Sequence, residues 1–169
     1  MLWCEIVRTE AAQEAVFAFL EPMITPADTL LIAALMRDEG VRYEPYKDTA
    51  DKWTVGVGRN LEDVGLQGDE WDGVLFTDAL VRQMLQADIA KALDHAQQFD
   101  WFAGLNDRRQ RVVVNMIFNL GVSGFRRFRK MIAAIESEQW MMAAAEGLDS
   151  RWATQVGSRA TRLMQEMRA

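Results

Sequence analysis

The chain has 169 residues, half of them hydrophobic and 26% charged, with a formal net charge of −6. That suits one domain with a buried core, and no apolar run approaches the ~20 residues of a membrane-spanning helix, so stable membrane insertion is excluded. The single cysteine, Cys4, has no partner for an internal disulfide, and the lone histidine, His95, has no second His or Cys for a metal site; neither metal nor cofactor is expected.

The charge is unevenly spread. Residues 1–100 hold 8 Lys/Arg and 19 Asp/Glu, whereas residues 101–169 hold 11 and 6, a balance of −11 against +5. Such a split suits either attraction between two parts of the molecule or a basic face for an anionic partner. The opening stretch MLWCEIVRTEAAQEAVFAFL is acidic and lacks the basic start of an export signal, so synthesis in the cytoplasm is expected.

Thr9 through Leu20 reads as a helix, ended by Pro22. Thr25-Pro26-Ala27-Asp28 then starts a second helix: a capping hydroxyl, a proline at the first position and an acid in the first turn. Its stripe is Leu30, Leu31, Ala34 and Leu35, and Gly40 closes it. VRYEPYKD alternates apolar and polar residues and contains Pro45, which predicts an edge strand. Residues 49–52 form a turn, and Trp53–Gly58 a second strand whose glycines admit a backbone or ligand at close range. Residues 61–75 read as irregular.

Thr77-Asp78 begins a long helix to about Gln97, with Leu80, Val81, Met84, Leu85, Ile89 and Leu93 along one line. Asn106-Asp107 starts a helix ending at Gly121; its VVVNMIF core is apolar nearly all round, as in a buried central helix. Ser123 or Gly124 begins a helix through about Glu136. A short helix covers roughly Gln139–Glu146, and Ser158 caps the last, Arg159–Met167. The predicted fold is α+β, mostly α: a small β-hairpin lobe at about 38–75, a bridging helix at about 78–97 and a larger helical lobe at about 98–169. A cleft lies between the lobes, and residues 1–24 form a separate helical extension.

Glu39 at the helix end, Asp48 after the first strand and Thr54 on the second form the chemically suggestive set. Breaking a glycosidic bond needs a proton on the leaving oxygen and either a carboxylate to steer water or one to relieve positive charge on the sugar. A hydroxyl beside a carboxylate can hold the water through two hydrogen bonds. Each residue alone also has an ordinary reading: an acid after a helix, an acid at a turn, a threonine in a strand.

The strings DEG, YKDT and TVGVG around these three residues resemble the phage-type lysozymes, endolysin muramidases of the T-even kind, and the resemblance covers about residues 29–162. It implies that Glu39 is the acid and that Asp48 and Thr54 hold water in an inverting mechanism. VVNMIFNLGVSGF resembles the family's central helix, so Phe118 and Asn119 would contact glycan. SRWATQVGSRATR resembles the segment whose arginine pairs with the catalytic glutamate, so Arg159 would orient Glu39. The family often has histidine where Arg59 stands; Arg59 could keep an acidic partner and is counted among the substrate-binding or orienting residues. Asp51 replaces a turn glycine, and Asp tolerates the left-handed conformation.

The resemblance implies hydrolysis of the β-1,4 bond between N-acetylmuramic acid and N-acetylglucosamine in bacterial peptidoglycan, by a monomeric endolysin that reaches the wall after release and lyses the host. One alternative is a muramidase borne on a virion or injection apparatus, with the N-terminal extension contacting a phage structural protein. Another is a non-catalytic peptidoglycan-binding domain of the same fold. The run Arg126-Arg127-Arg129-Lys130 could meet wall phosphates or an anionic membrane, or be a solvated helix face; no motif points to nucleic acid. Trp101, Phe102, Trp140 and Trp152 could stack on sugars or pack in the core.

Overall fold

In the computed structural model, residues 26–64, 71 and 73–169 are described, without the side chains of 26–28 and 64. The expected helix at 9–20 and Cys4 lie outside the described residues. The chain folds as two compact units, the first ending at Asp88 and the second running from Ile89 to Ala169.

The first unit opens with α1 (Pro26–Glu39), which starts at the predicted proline. Gly40, at φ +77°, turns the chain out of it. Its buried stripe is Leu31, Ile32 and Leu35; Leu30, expected on that stripe, is 60% exposed. The apolar line is thus rotated by one position, and Ile32 replaces Leu30.

β1 (Arg42–Lys47), β2 (Trp53–Gly56) and β3 (Arg59–Asn60) form an antiparallel sheet in that order. The expected two-stranded hairpin therefore has a third strand, and β2 stops at Gly56 rather than Gly58. β1 is an edge strand, and its register with β2 slips between Arg42 and Tyr46, the stretch that holds Pro45. Proline has no N–H for the ladder, so an irregularity there costs little. In the turn, Asp51 adopts φ +60°, the left-handed conformation expected of it.

The glycines after Val55 serve the backbone. Gly56 has φ +66°, and an added Cβ would sit 3.1 Å from the Val81 side chain, whereas Gly58, at φ +83°, has nothing within 4 Å of that position. The close approach expected of a backbone or ligand is, at Gly56, that of a core valine.

The sheet packs on a core of Val55, Leu61, Trp71, Val74, Phe76, Leu80, Val81 and Met84. Four of these are 0–1% exposed aliphatic side chains, each worth about 1.5–3 kcal/mol of transfer free energy. A single 3-10 turn, Glu62–Val64, follows β3. The helix α2 (Asp78–Ala96) begins where Thr77 Oγ1 accepts from the Leu80 N–H at 3.3 Å. Tyr43 Oη donates to Asp78 Oδ1 at 2.8 Å, and the Phe76 N–H bonds the Tyr43 carbonyl at 2.9 Å, so the outer edge of β1 is partly covered.

The second unit holds the end of α2 and five further helices. α3 (Asp107–Phe125) is capped by Asn106, whose side chain accepts from the Arg109 N–H, and is interrupted at Gly121 with φ +69° and ψ 159°. Val112 through Ile117 are all buried, as the apolar string predicts. Beyond Gly121 the chain makes one more helical turn to Phe125, and a new helix, α4, spans Arg129–Glu136. It starts later than the expected Ser123 or Gly124, because the segment before it folds as turns closed by the Val122 and Gly124 carbonyls.

α5 (Trp140–Leu148), α6 (Arg151–Val156) and α7 (Ser158–Arg168) complete the unit. α6 has no counterpart among the predicted elements; Ser150 caps it by accepting from the Ala153 N–H. Gly147 lies against Met164, which lets α5 approach α7 closely. Arg109 stacks over Trp140 at 3.9 Å and donates to the Met167 carbonyl, joining three helices. Phe102 and Trp152 are buried, and Trp101 belongs to an aromatic group with Phe99 and Phe125, so packing is their ordinary role. His95 is exposed on α2.

Candidate active site

The three residues expected to carry catalysis all lie in the first unit. Glu39 is the last residue of α1 rather than the residue after it, and it is exposed. A carboxylate there has a backbone fixed by the helix and a side chain open to solvent.

Asp48 follows β1. Its Oδ1 accepts from the Ala50 N–H at 2.8 Å and the Lys52 N–H at 2.9 Å, and its own N–H donates to the Lys52 carbonyl at 2.9 Å. The carboxylate thus folds the loop that carries it, as aspartates do in tight turns. The hydrogen bond from Lys52 N–H, that from Ala50 and the charges of Lys52 and Lys47 hold its carboxyl below the usual value of 3.8 against a smaller opposing effect of burial. Asp48 is therefore an acceptor and a base at neutral pH, not a proton donor.

Thr54 is 4% exposed, and its Oγ1 donates to the Lys52 carbonyl at 3.1 Å. With its proton committed, the hydroxyl presents only acceptor lone pairs. The register pairs Tyr46 with Thr54 and Lys47 with Trp53. Continued by the Asp48–Lys52 backbone bond, it sets Asp48 diagonally across from Thr54 on one face of the sheet. Both residues bond to the backbone of Lys52, Asp48 at its amide and Thr54 at its carbonyl.

Arg59, on β3, keeps the acidic partner expected of it: the guanidinium forms an ion pair with Asp88 on α2. The side chains are 10% and 22% exposed. Burial lowers the Arg59 pKa, and the charge of Asp63 opposes that shift. Arg59 thereby fastens the sheet to the helix.

The other expected residues lie in the second unit. Arg159, in the first turn of α7, is 5% exposed and directs Nε and Nη2 at Asn115 Oδ1, at 3.0 and 2.8 Å. Phe118 is half-buried on α3. The neighbouring Asn119 is exposed, and its Oδ1 accepts from Trp152 Nε1 at 2.9 Å.

Two contributors stand outside the residues that the sequence singles out. Asn115 is 1% exposed in a run of apolar residues, and a polar side chain inside such a run is itself a signal of a buried partner. Asp88 stands among the charges of α2 without distinction. Among the described residues no cluster of His, Cys, Asp and Glu could hold a metal ion.

The family model described as phage lysozyme matches residues 36–168. The chain belongs to the phage lysozyme family. It is 26% identical over 150 residues to Probable T4-type lysozyme 2 of Dictyostelium discoideum, covering 77% of this chain and 88% of that one. Probable T4-type lysozyme 1 of the same organism is 25% identical over the same shares. The Pre-baseplate central spike protein Gp5 of Enterobacteria phage T4 is 27% identical over 148 residues, which is 76% of this chain and 26% of that protein. Membership in the phage lysozyme family supports a lysozyme-type glycoside hydrolase with muramidase-type function. No described helix is long and apolar enough to cross a membrane.

Proposed function

We infer that this chain hydrolyses the β-1,4 linkage between N-acetylmuramic acid and N-acetylglucosamine in bacterial peptidoglycan. Glu39 donates the proton to the leaving oxygen, and Asp48 and Thr54 hold the attacking water. The observation that carries this reading is the state of the last two groups. Asp48 spends Oδ1 on its own loop and keeps Oδ2 for a water proton; Thr54 spends its proton on the Lys52 carbonyl and keeps lone pairs for the other. A water donating both protons has its own lone pair left to attack the anomeric carbon, which is the inverting course.

Arg159 orients the acid, and Phe118 and Asn119 contact glycan, the roles that the resemblance assigns to them. Arg59 acts indirectly, by holding β3 on α2 through its ion pair with Asp88. The test is release of reducing ends from purified wall. Glu39→Gln should fold as the wild type and lose ~10²-fold or more in rate. Full activity in that variant would remove Glu39 from the mechanism, and a product formed with retained anomeric configuration would remove the water-holding pair.

For the biological setting we propose an endolysin that reaches the wall after release. The similarity to Gp5, whose name is that of a baseplate spike protein, favours a second setting on a phage particle. Co-purification of the chain with particles would select the second, and its recovery free in the lysate the first.

A further inference from the structure

We propose that Arg42 and Tyr46 are positioning residues for hydrolysis: a guanidinium stacked on a ring, which spans an irregular stretch of β1 and sets how far the acid of α1 stands from the water-holding pair. The inference rests on the roles proposed for Glu39, Asp48 and Thr54. The chain from Glu39 to Asp48 leaves α1 through Gly40, at φ +77°, and then runs along β1. A regular ladder would fix that length, but this one is broken. Arg42 pairs with Gly56 and Tyr46 with Thr54, so residues 43–45 stand opposite Val55 alone. Pro45, within the slip, has no N–H to give the ladder. Past it the pairing is regular again, and Lys47 Nζ lies 5.0 Å from the centre of the Trp53 ring.

A side-chain contact reaches across the slip. Arg42 Cζ lies 4.3 Å from the centre of the Tyr46 ring. Arg42 is exposed, yet its guanidinium forms no ion pair or hydrogen bond among the described residues; the ring is what holds it. The Tyr46 hydroxyl likewise forms no hydrogen bond among the described residues, so the ring face carries the contact. Tyr46 is opposite Thr54 and two positions before Asp48, so its side chain shares their face of the sheet. The stack thus ties the segment just past the acid to the residue that flanks both water-holding groups. A cation on an aromatic face at an exposed site is a weak contact, so it adds little to global stability. Its effect on rate is larger, because a displacement of about 1 Å between reacting groups costs up to about 10²-fold. A contact that only held the fold together would show the opposite balance.

Steady-state hydrolysis of purified wall and thermal melts are measured on the same full-length proteins. Arg42→Gln should lower kcat about ten-fold with KM within about two-fold, and lower the melting temperature by no more than about 4 °C. Arg42→Lys, which keeps a cation for the ring, should return kcat to within about three-fold of the wild type. Tyr46→Phe keeps the ring face and should stay within about two-fold, whereas Tyr46→Leu should fall as far as Arg42→Gln. The same contact is lost in both, so Arg42→Gln combined with Tyr46→Leu should be no slower than either change alone. Arg108→Gln removes an equal charge from an exposed position of the second unit and should leave kcat unchanged. An unchanged kcat in Arg42→Gln, a loss carried by KM, additive losses in the double variant, equal losses in Tyr46→Phe and Tyr46→Leu, or an equal loss in Arg108→Gln would each overturn the proposal. An inactive Glu39→Gln beside an unchanged Arg42→Gln fails the stack alone, whereas full activity in Glu39→Gln removes the acid and both readings with it.

Discussion

At Asp48 one carboxylate closes its loop through Oδ1, and the proposed mechanism gives it a second task, holding water. The two can be separated chemically. Asparagine keeps an Oδ1 that accepts from the Ala50 and Lys52 amides, so Asp48→Asn should preserve the loop and the far-UV spectrum while lowering kcat on wall substrate ~10²-fold or more. The pH response follows from the lowered carboxyl. A group whose folded pKa lies below its unfolded value adds stability above the unfolded value and loses it as pH falls through the folded one. Melting temperature in the wild type should therefore decline below about pH 4. In Asp48→Asn that component of the decline should be missing, and a variant with the same acid limb as the wild type would contradict the assignment.

Between elements, the joint that matters most is Arg59 to Asp88, which ties the last strand to α2. With the Arg59 side chain 10% exposed, Asp88→Asn leaves a desolvated cation without its acid, at a cost on the order of 3 kcal/mol. Arg59→Gln combined with Asp88→Asn should cost less than the two single changes added, and chemical denaturation of all three proteins measures the coupling. Elements set by local chemistry were legible in the sequence: the proline start of α1, the glycine after it, the turn at Asp51, and the buried helix in VVVNMIF. Elements set by a distant partner were not. β3 has two residues, too few for any periodicity, and exists because Thr54 and Val55 offer it an edge. α6 is six residues long and rests on the Ser150 cap and the burial of Trp152. Among the residues singled out, the placement of Asp48 after β1 and of Thr54 on β2 could be read from the sequence pattern, and an acidic partner for Arg59 from the resemblance. Asp88 and Asn115 could not be assigned, since their partners lie 29 and 44 positions away.

For the molecule as a whole, the proposed monomeric state has a direct thermodynamic signature. Melting temperature should be unchanged over about a hundred-fold range of protein concentration, because a monomer has no association term, and a rise with concentration would show an oligomer. The bond from the Trp152 indole to Asn119 gives the molecule one further property. Asn119 is the exposed partner of a buried fluorophore, so a sugar amide or hydroxyl that competes for its side-chain carbonyl alters the polarity sensed by the indole. The proposed glycan contact at Asn119 would make this bond an optical gauge of occupancy: titration with chitin fragments should shift the emission of the wild type, and the shift should vanish in Asn119→Ala.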